Sequence, residues 1–227
     1  MLSLILAGLF FIAVHIGIAG TTLRDRVVTL LGPRGYMIAF SIASIAGIWW
    51  LIVAYTGAEY VPTWGQPEGW KLVADVLMLP AFLLVVIGLA TPNPTAVAGE
   101  KLVARPPAGI VRVTRHPVLV GVALWATLHL VANGDGASLL FFGALLVVAL
   151  AGPPSIDAKR RRTLGPAAWN PFARRTSIVP FGAIAAGRNA LNVREIGWWR
   201  IALGVLAYVL FIGGHSHIIG VSPFPHW

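Results

Sequence analysis

The chain has no cysteine. That excludes disulfides, iron–sulfur clusters, thiolate ligation of haem and cysteine nucleophiles together. Charge is scarce as well: 11% of the 227 residues are Asp, Glu, Lys or Arg, against about 25% in a typical soluble domain. Acidic residues are rarest, eight against 17 Lys and Arg, so the formal net charge is +9. Neither H-E-x-x-H nor G-x-S-x-G occurs, which removes the usual zinc-hydrolase and serine-hydrolase signatures. No nucleic-acid-binding motif accompanies the positive charge.

What is abundant is apolar: 57% hydrophobic residues and a mean hydropathy of +0.80. A bilayer's hydrocarbon is about 30 Å thick and needs roughly 17–25 apolar residues to cross it as a helix. Six runs qualify or come close: Leu2–Gly20, Tyr36–Thr56, Lys71–Ala90, Pro117–Val131, Ala137–Gly152 and Trp198–Gly220. The first lacks a basic n-region and an A-x-A-like cleavage site, so it reads as a retained span and not a signal peptide. The fold class expected is all-α, a polytopic bundle of about six transmembrane helices forming one domain over 1–227, with the lipid bilayer as its main partner.

Loop charge tests the count. The first loop carries Arg24, Arg26 and Arg34; the third carries Lys101, Arg105, Arg112 and Arg115; the fifth carries Lys159–Arg162, Arg174 and Arg175. The second and fourth hold only Glu59, Glu68 and Asp135. Basic and non-basic loops alternate, as the positive-inside rule requires for six spans with both termini outside. In a bacterial cell this places the chain in the inner membrane with periplasmic termini. The stretch 153–197 has five prolines and too few apolar positions for its own core; short amphipathic pieces on the cytoplasmic face are expected.

Six histidines are present: His15, His116, His129, His215, His217 and His226. An ionisable group inside hydrocarbon is costly and therefore a candidate functional residue; the plain alternative is hydrogen bonding that glues helices. His15, His129 and His215 fall in three different spans. Two imidazoles from different helices suit a bis-histidine haem. Helical spacing sets Val122, Trp125, Ala126 and Asn133 beside His129, with Trp125 able to pack on a flat macrocycle. At about 1.5 Å per residue, His15 lies ~6 Å to the cytoplasmic side of mid-bilayer and His129 about as far to the other side. His215 is closer to His129 in depth, so geometry alone pairs His129 with His215. At the other end of span four, Arg115-His116-Pro117 abuts the cytoplasmic interface, with proline in the helix's first turn. These residues and the run Lys159–Arg162 are expected to form one cluster near Asp157. It reads either as snorkelling basic side chains or as an anion or headgroup site.

The segments "RVTRHPVLVGVALWATLHLVANGDGASLLFFG", "SIDAKRRRTLGPAAWNPFARRTSIVPF", "GHSHIIGVSPF" and "VHIGIAGTTLRD" resemble the NnrU family of bacterial membrane proteins, named for a role in nitrite and nitric oxide reduction. The same domain occurs in plant 15-cis-zeta-carotene isomerase, a membrane enzyme using haem b. The resemblance implies haem b as cofactor and His15 and His129 as its axial ligands. It also implies either a redox-linked isomerase of a hydrophobic molecule or a part in denitrification. A cysteine proposed as an exchanging ligand in the isomerase falls on Ala126 here, which closes a ligand switch through sulfur. A non-catalytic accessory protein for a membrane partner is the alternative of a different class. A third, weaker resemblance is to isoprenylcysteine-carboxyl-type membrane methyltransferases, through Arg115-His116-Pro117, Gly121, Asp157, Trp169 and Phe172.

Overall fold

A computed structural model describes residues 1–224; His226 and Trp227 lie outside the described residues. The described residues form helices α1 (Leu2–Ile12), α2 (Leu23–Thr56), α3 (Glu68–Leu89), α4 (Ile110–Val113), α5 (Pro117–Asn133), α6 (Gly136–Leu164), α7 (Pro166–Arg175), α8 (Gly182–Ala185) and α9 (Trp198–Ile219). A π-helical stretch, Ala13–Ile18, continues α1, and 3-10 turns occupy Glu100–Ala104 and Val193–Glu195. The described residues contain no strand, only one isolated bridge between Pro62 and Asp135.

Helices α2, α3, α6 and α9 are long and apolar enough to cross a membrane. Leu2–Ile18 and α5 are apolar but shorter. The all-helical membrane bundle expected from the sequence is what forms. Neighbouring helices pack in the order α2, α1, α6, α5, α3, α9.

Two helices exceed the expected spans. Helix α2 starts at Leu23 rather than Tyr36, because the basic first loop is itself helical up to a break at Gly32, whose φ is +71°. The fifth span was expected to end at Gly152, yet α6 runs through Pro153 and Pro154 to Leu164. Two prolines remove two backbone donors, so the extension needs outside anchorage. Asp157 supplies it by binding Arg115 and His116, and Arg160 by binding Glu100.

The hairpin between α5 and α6 rests on three residues. Gly134 ends α5 in the left-handed region, with φ +55°. A Cβ there would run into the Gly65 carbonyl, so only glycine fits. Asp135 caps α6 by accepting from the Ser138 N–H at 2.9 Å, the usual role of an N-cap carboxylate. Ser138, fully buried, bonds the Tyr55 hydroxyl at 2.9 Å and so ties α6 to α2.

Loop contacts decide which ends lie together. Arg162 pairs with Asp25, Arg160 with Glu100, and Arg115 with Asp157, so loops one, three and five meet at one end. At the other end, Thr63 and Gly65 donate to the Gly134 carbonyl and the Trp64 indole to the Val131 carbonyl. Loops two and four therefore meet there, as their charge required.

The core is divided in the same way. One cluster (Leu4, Ala7, Phe11, Leu51, Ala126, Phe141, Phe142) binds α1, α2, α5 and α6 within the bundle. A second (Ile87, Ile110, Val111, Val113, Trp169, Phe172, Ile196) sits at the basic end. There α7 buries Trp169 and Phe172 against α3 and α4. Residues 153–197 make no core of their own and borrow that of the bundle, as their composition implied.

Candidate functional site

A cleft of about 230 Å³ opens at the non-basic end, between α3, α5 and α9. Its walls are mostly apolar, with Met78, Phe82, Trp125, Phe211 and Ile212 among them. Into this lining come His129, His215, Asp75 and Lys71. Gly134 and Gly220, each with positive φ, end α5 and α9. The two histidines thus sit a little over one turn from the ends of their helices. The Trp70 indole donates to the Leu128 carbonyl at 3.2 Å, and the Tyr208 hydroxyl to the Asp75 carbonyl at 3.0 Å. These two bonds fix α3 against α5 and α9 and hold the cleft's shape.

The imidazoles share one bonding pattern. His129 Nδ1 lies 2.9 Å from the Trp125 carbonyl, His215 Nδ1 2.7 Å from the Val221 carbonyl, and His15 Nδ1 2.8 Å from the Phe11 carbonyl. A carbonyl only accepts, so each Nδ1 carries the proton and donates it. That fixes the tautomer and leaves the Nε2 lone pair without a hydrogen bond in any of the three among the described residues. Metal-bound histidines are held this way, the second nitrogen tied to a backbone acceptor. The His129 ring is wedged between Trp125 and Phe142, with centroids 4.7 and 4.8 Å away and the Phe142 plane only 23° off parallel.

Of the candidates from sequence, the structure brings His129, His215 and Trp125 to one cleft. His15 lies elsewhere, in the π-helical stretch, packed on Phe11 and Phe40. Helix α1 packs between α2 and α6, and α6 stands between it and the α5 wall of the cleft. The register gives the depth difference. Gly8 faces Ala144, where a Cβ would be 3.4 Å from the Ala144 Cβ. His129 stacks on Phe142, so His15 lies about nine residues further along the bundle, roughly 13 Å at the α-helical rise. Ala126, fully buried beside Ala7 and Phe11, faces that inner core. The donor set is of a kind that suits a haem: two imidazoles with Nδ1 tied to carbonyls in a mostly apolar lining, with Lys71 as a cation beside them.

Sequence reasoning left Asp75 and Lys71 outside the candidate set. Asp75 makes no ion pair or hydrogen bond through its carboxylate among the described residues, although it lies in a span. That placement was the available signal, since a carboxylate in hydrocarbon is rare. Phe142 was also missed, because stacking between α5 and α6 depends on how the hairpin closes.

At the basic end, Asp157 binds two expected partners. Arg115 reaches its Oδ2 through Nε at 2.9 Å and Nη2 at 2.5 Å, and His116 Nε2 lies 2.8 Å from its Oδ1. His116 is 3% exposed. The run Lys159–Arg162 does not join this cluster. Helical rotation turns Arg160 toward Glu100 and the Ala96 carbonyl, and Arg162 toward Asp25. An anion site on Arg115 and His116 is therefore closed, because Asp157 occupies both. Trp169 and Phe172, the positions aligned with the methyltransferase tyrosines, point into the core at 3% exposure each.

Fold and site together define a class: a polytopic helical membrane protein with imidazole nitrogens that have no partner among the described residues, in an apolar cleft. The chain belongs to the NnrU family, since the family model described as NnrU protein matches residues 3–223. It is 29% identical over 196 residues to the chloroplastic 15-cis-zeta-carotene isomerase of Zea mays, covering 83% of this chain and 52% of that protein. Against the chloroplastic 15-cis-zeta-carotene isomerase of Arabidopsis thaliana the identity is 28% over 196 residues, with 84% and 52% covered. The chain thus spans about half the length of the curated relatives it matches. No solved structure matches it.

Proposed function

We propose that this protein holds a haem b at the non-basic end of its bundle and acts as a redox-linked isomerase of a hydrophobic polyene, like the isomerases it resembles. His129 would hold the haem, with His215 as its partner through the shared cleft, whereas the resemblance favours His15. The observation that carries the reading is the pair His129 and His215 in one apolar cleft, each with Nδ1 tied to a carbonyl.

A bound haem supplies an iron centre that changes oxidation state by one electron. The chain's own residues do the rest. The Trp125 and Val221 carbonyls hold the two imidazoles in the ligating tautomer. Trp125 and Phe142 fix the plane of the His129 ring. The apolar walls exclude water and admit a hydrophobic molecule from the bilayer.

Ala126 favours a second reading. With no sulfur at the position of the isomerase's cysteine, the same haem would serve nitrite or nitric oxide metabolism in a bacterial inner membrane, with both chain ends periplasmic.

The test is a visible spectrum of the detergent-purified protein, oxidised and dithionite-reduced, with haem per chain measured for His15→Ala, His129→Ala and His215→Ala. A Soret band with sharp reduced bands is expected, lost in His129→Ala. Loss in His215→Ala with retention in His15→Ala assigns the cleft pair; the reverse assigns the pair implied by resemblance. Colourless protein after expression with ample haem overturns both readings and leaves the histidines structural. With a spectrum in hand, isomerisation of a zeta-carotene isomer against a shift on adding nitric oxide separates the two functions.

A further inference from the structure

The basic end carries a surplus of charge that its own carboxylates cannot neutralise. Half of the eight acidic residues lie there: Asp25, Glu100, Asp157 and Glu195. Each is already bound, to Arg24 and Arg162, to Arg160, to Arg115 and His116, and to Arg112 respectively. The side chains of Arg105 and Arg175 have no carboxylate or hydrogen-bond partner among the described residues, and both residues are exposed.

These two arginines line one groove. It has a volume of about 290 Å³ and lies between residues 103–107 and α7. The rest of its lining is apolar or backbone, including Val103, Pro106, Ala168 and Phe172. Its depth follows from packing. Phe172 shares a cluster with Ile87, two residues from the end of α3. The Arg200 Nε donates to the Ala90 carbonyl at 3.1 Å, setting the start of α9 at the same level. There Trp198 is 81% exposed and Trp199 47%, as interfacial anchors are. The groove thus opens where hydrocarbon gives way to headgroups.

We propose that this groove is a binding site for one anionic glycerophospholipid, its phosphate held by Arg105 and Arg175 and its glycerol and upper acyl segments seated on Val103, Pro106 and Ala168. Two features select a lipid over a free phosphate. The groove's apolar lining has nothing to offer a small hydrophilic anion, and its depth matches the glycerol level. Guanidinium groups suit phosphate because they present paired donors. The site is independent of the cleft at the opposite end.

The test uses the full chain, delipidated in a neutral detergent and titrated with phosphatidylglycerol or phosphatidylcholine, with bound lipid counted by native mass spectrometry. Phosphatidylglycerol is expected to be retained at one copy in preference to phosphatidylcholine. The double change Arg105→Gln with Arg175→Gln weakens that binding roughly 30-fold, since each arginine near an anionic surface contributes about a factor of five. Ala168→Trp fills the groove without changing charge and also abolishes retention. Arg26→Gln with Arg34→Gln, elsewhere on the basic end, leaves it intact, and circular dichroism confirms that every variant keeps its helix content. The proposal is overturned if the control double change weakens binding as much as the groove change, or if Ala168→Trp binds like the unaltered chain. Full competition by soluble glycerol phosphate would equally overturn it in favour of a free-phosphate site.

Discussion

At the residue scale, the buried ionisable groups of the basic end are tied into ion pairs. Asp157 takes both Arg115 and the 3%-exposed His116. Removing its charge leaves a buried guanidinium and an imidazole facing a neutral amide, and breaking such a pair typically costs about 3 kcal/mol or more. Asp157→Asn is therefore expected to destabilise the detergent-solubilised protein by about 3 kcal/mol, read from its denaturation midpoint; a change below the noise would show the triad to be dispensable. Glu195 gives a pH signature. The Arg112 guanidinium and then the Gly109 N–H hold its carboxyl down to about 2, against an ordinary 4.5. A depressed folded-state value means that the stabilisation is full above the ordinary value and is lost as pH falls toward the folded one. Stability should be insensitive to this pair from neutrality to about pH 5, and should fall between 4.5 and 2. Glu195→Gln should remove that part of the acid slope, measured by melting across pH.

At the scale of elements, the α5–α6 hairpin is the critical joint. It carries His129 on one arm and Phe142 and Asp157 on the other. Gly134 holds it with φ +55° against the Gly65 carbonyl. Gly134→Ala puts an L-residue into the left-handed region, which costs about 1–2 kcal/mol before the clash is counted. Loss of at least that much is expected, together with disorder in the 62–65 segment seen by proteolysis. Gly143→Ala is the contrast. Nothing lies within 4 Å of its Cβ and the position is mid-helix, so the change should be neutral or gain up to about 1 kcal/mol. If both variants melt alike, the joint is not where the hairpin's stability lies. The prolines of α6 make a related point. From sequence they mark a helix end, and the helix continues because its extension is clamped by ion pairs formed with other elements.

At the scale of the whole molecule, the arrangement is a two-ended bundle with charge at one end and the histidine cleft at the other. The ion pairs joining loops one, three and five set the first end. The bonds from Thr63, Gly65 and Trp64 to the α5–α6 turn set the second. Reporter fusions after Arg162 and after Gln66 are expected to report opposite sides of the membrane, with Arg162 cytoplasmic. Both on one side would refute the alternation.

Composition and spacing alone determined the membrane class, the six apolar runs and which loops share an end, because hydrocarbon length and charge asymmetry act on local stretches of chain. They determined also that His129 and His215 lie at similar depth, since helical rise converts residue number into height. Height says nothing about neighbours around the bundle axis. That α6 stands between α1 and α5, leaving His15 outside the cleft that His129 and His215 share, follows from how six helices pack side by side. Asp75 and Phe142 enter the cleft's surroundings for the same reason. At the basic end, the sequence put Arg115, His116 and Asp157 within reach of one another through the hairpin. Only tertiary structure turned Arg160 and Arg162 away to Glu100 and Asp25, because each residue along a helix rotates about 100° and meets whichever carboxylate the neighbouring loop presents.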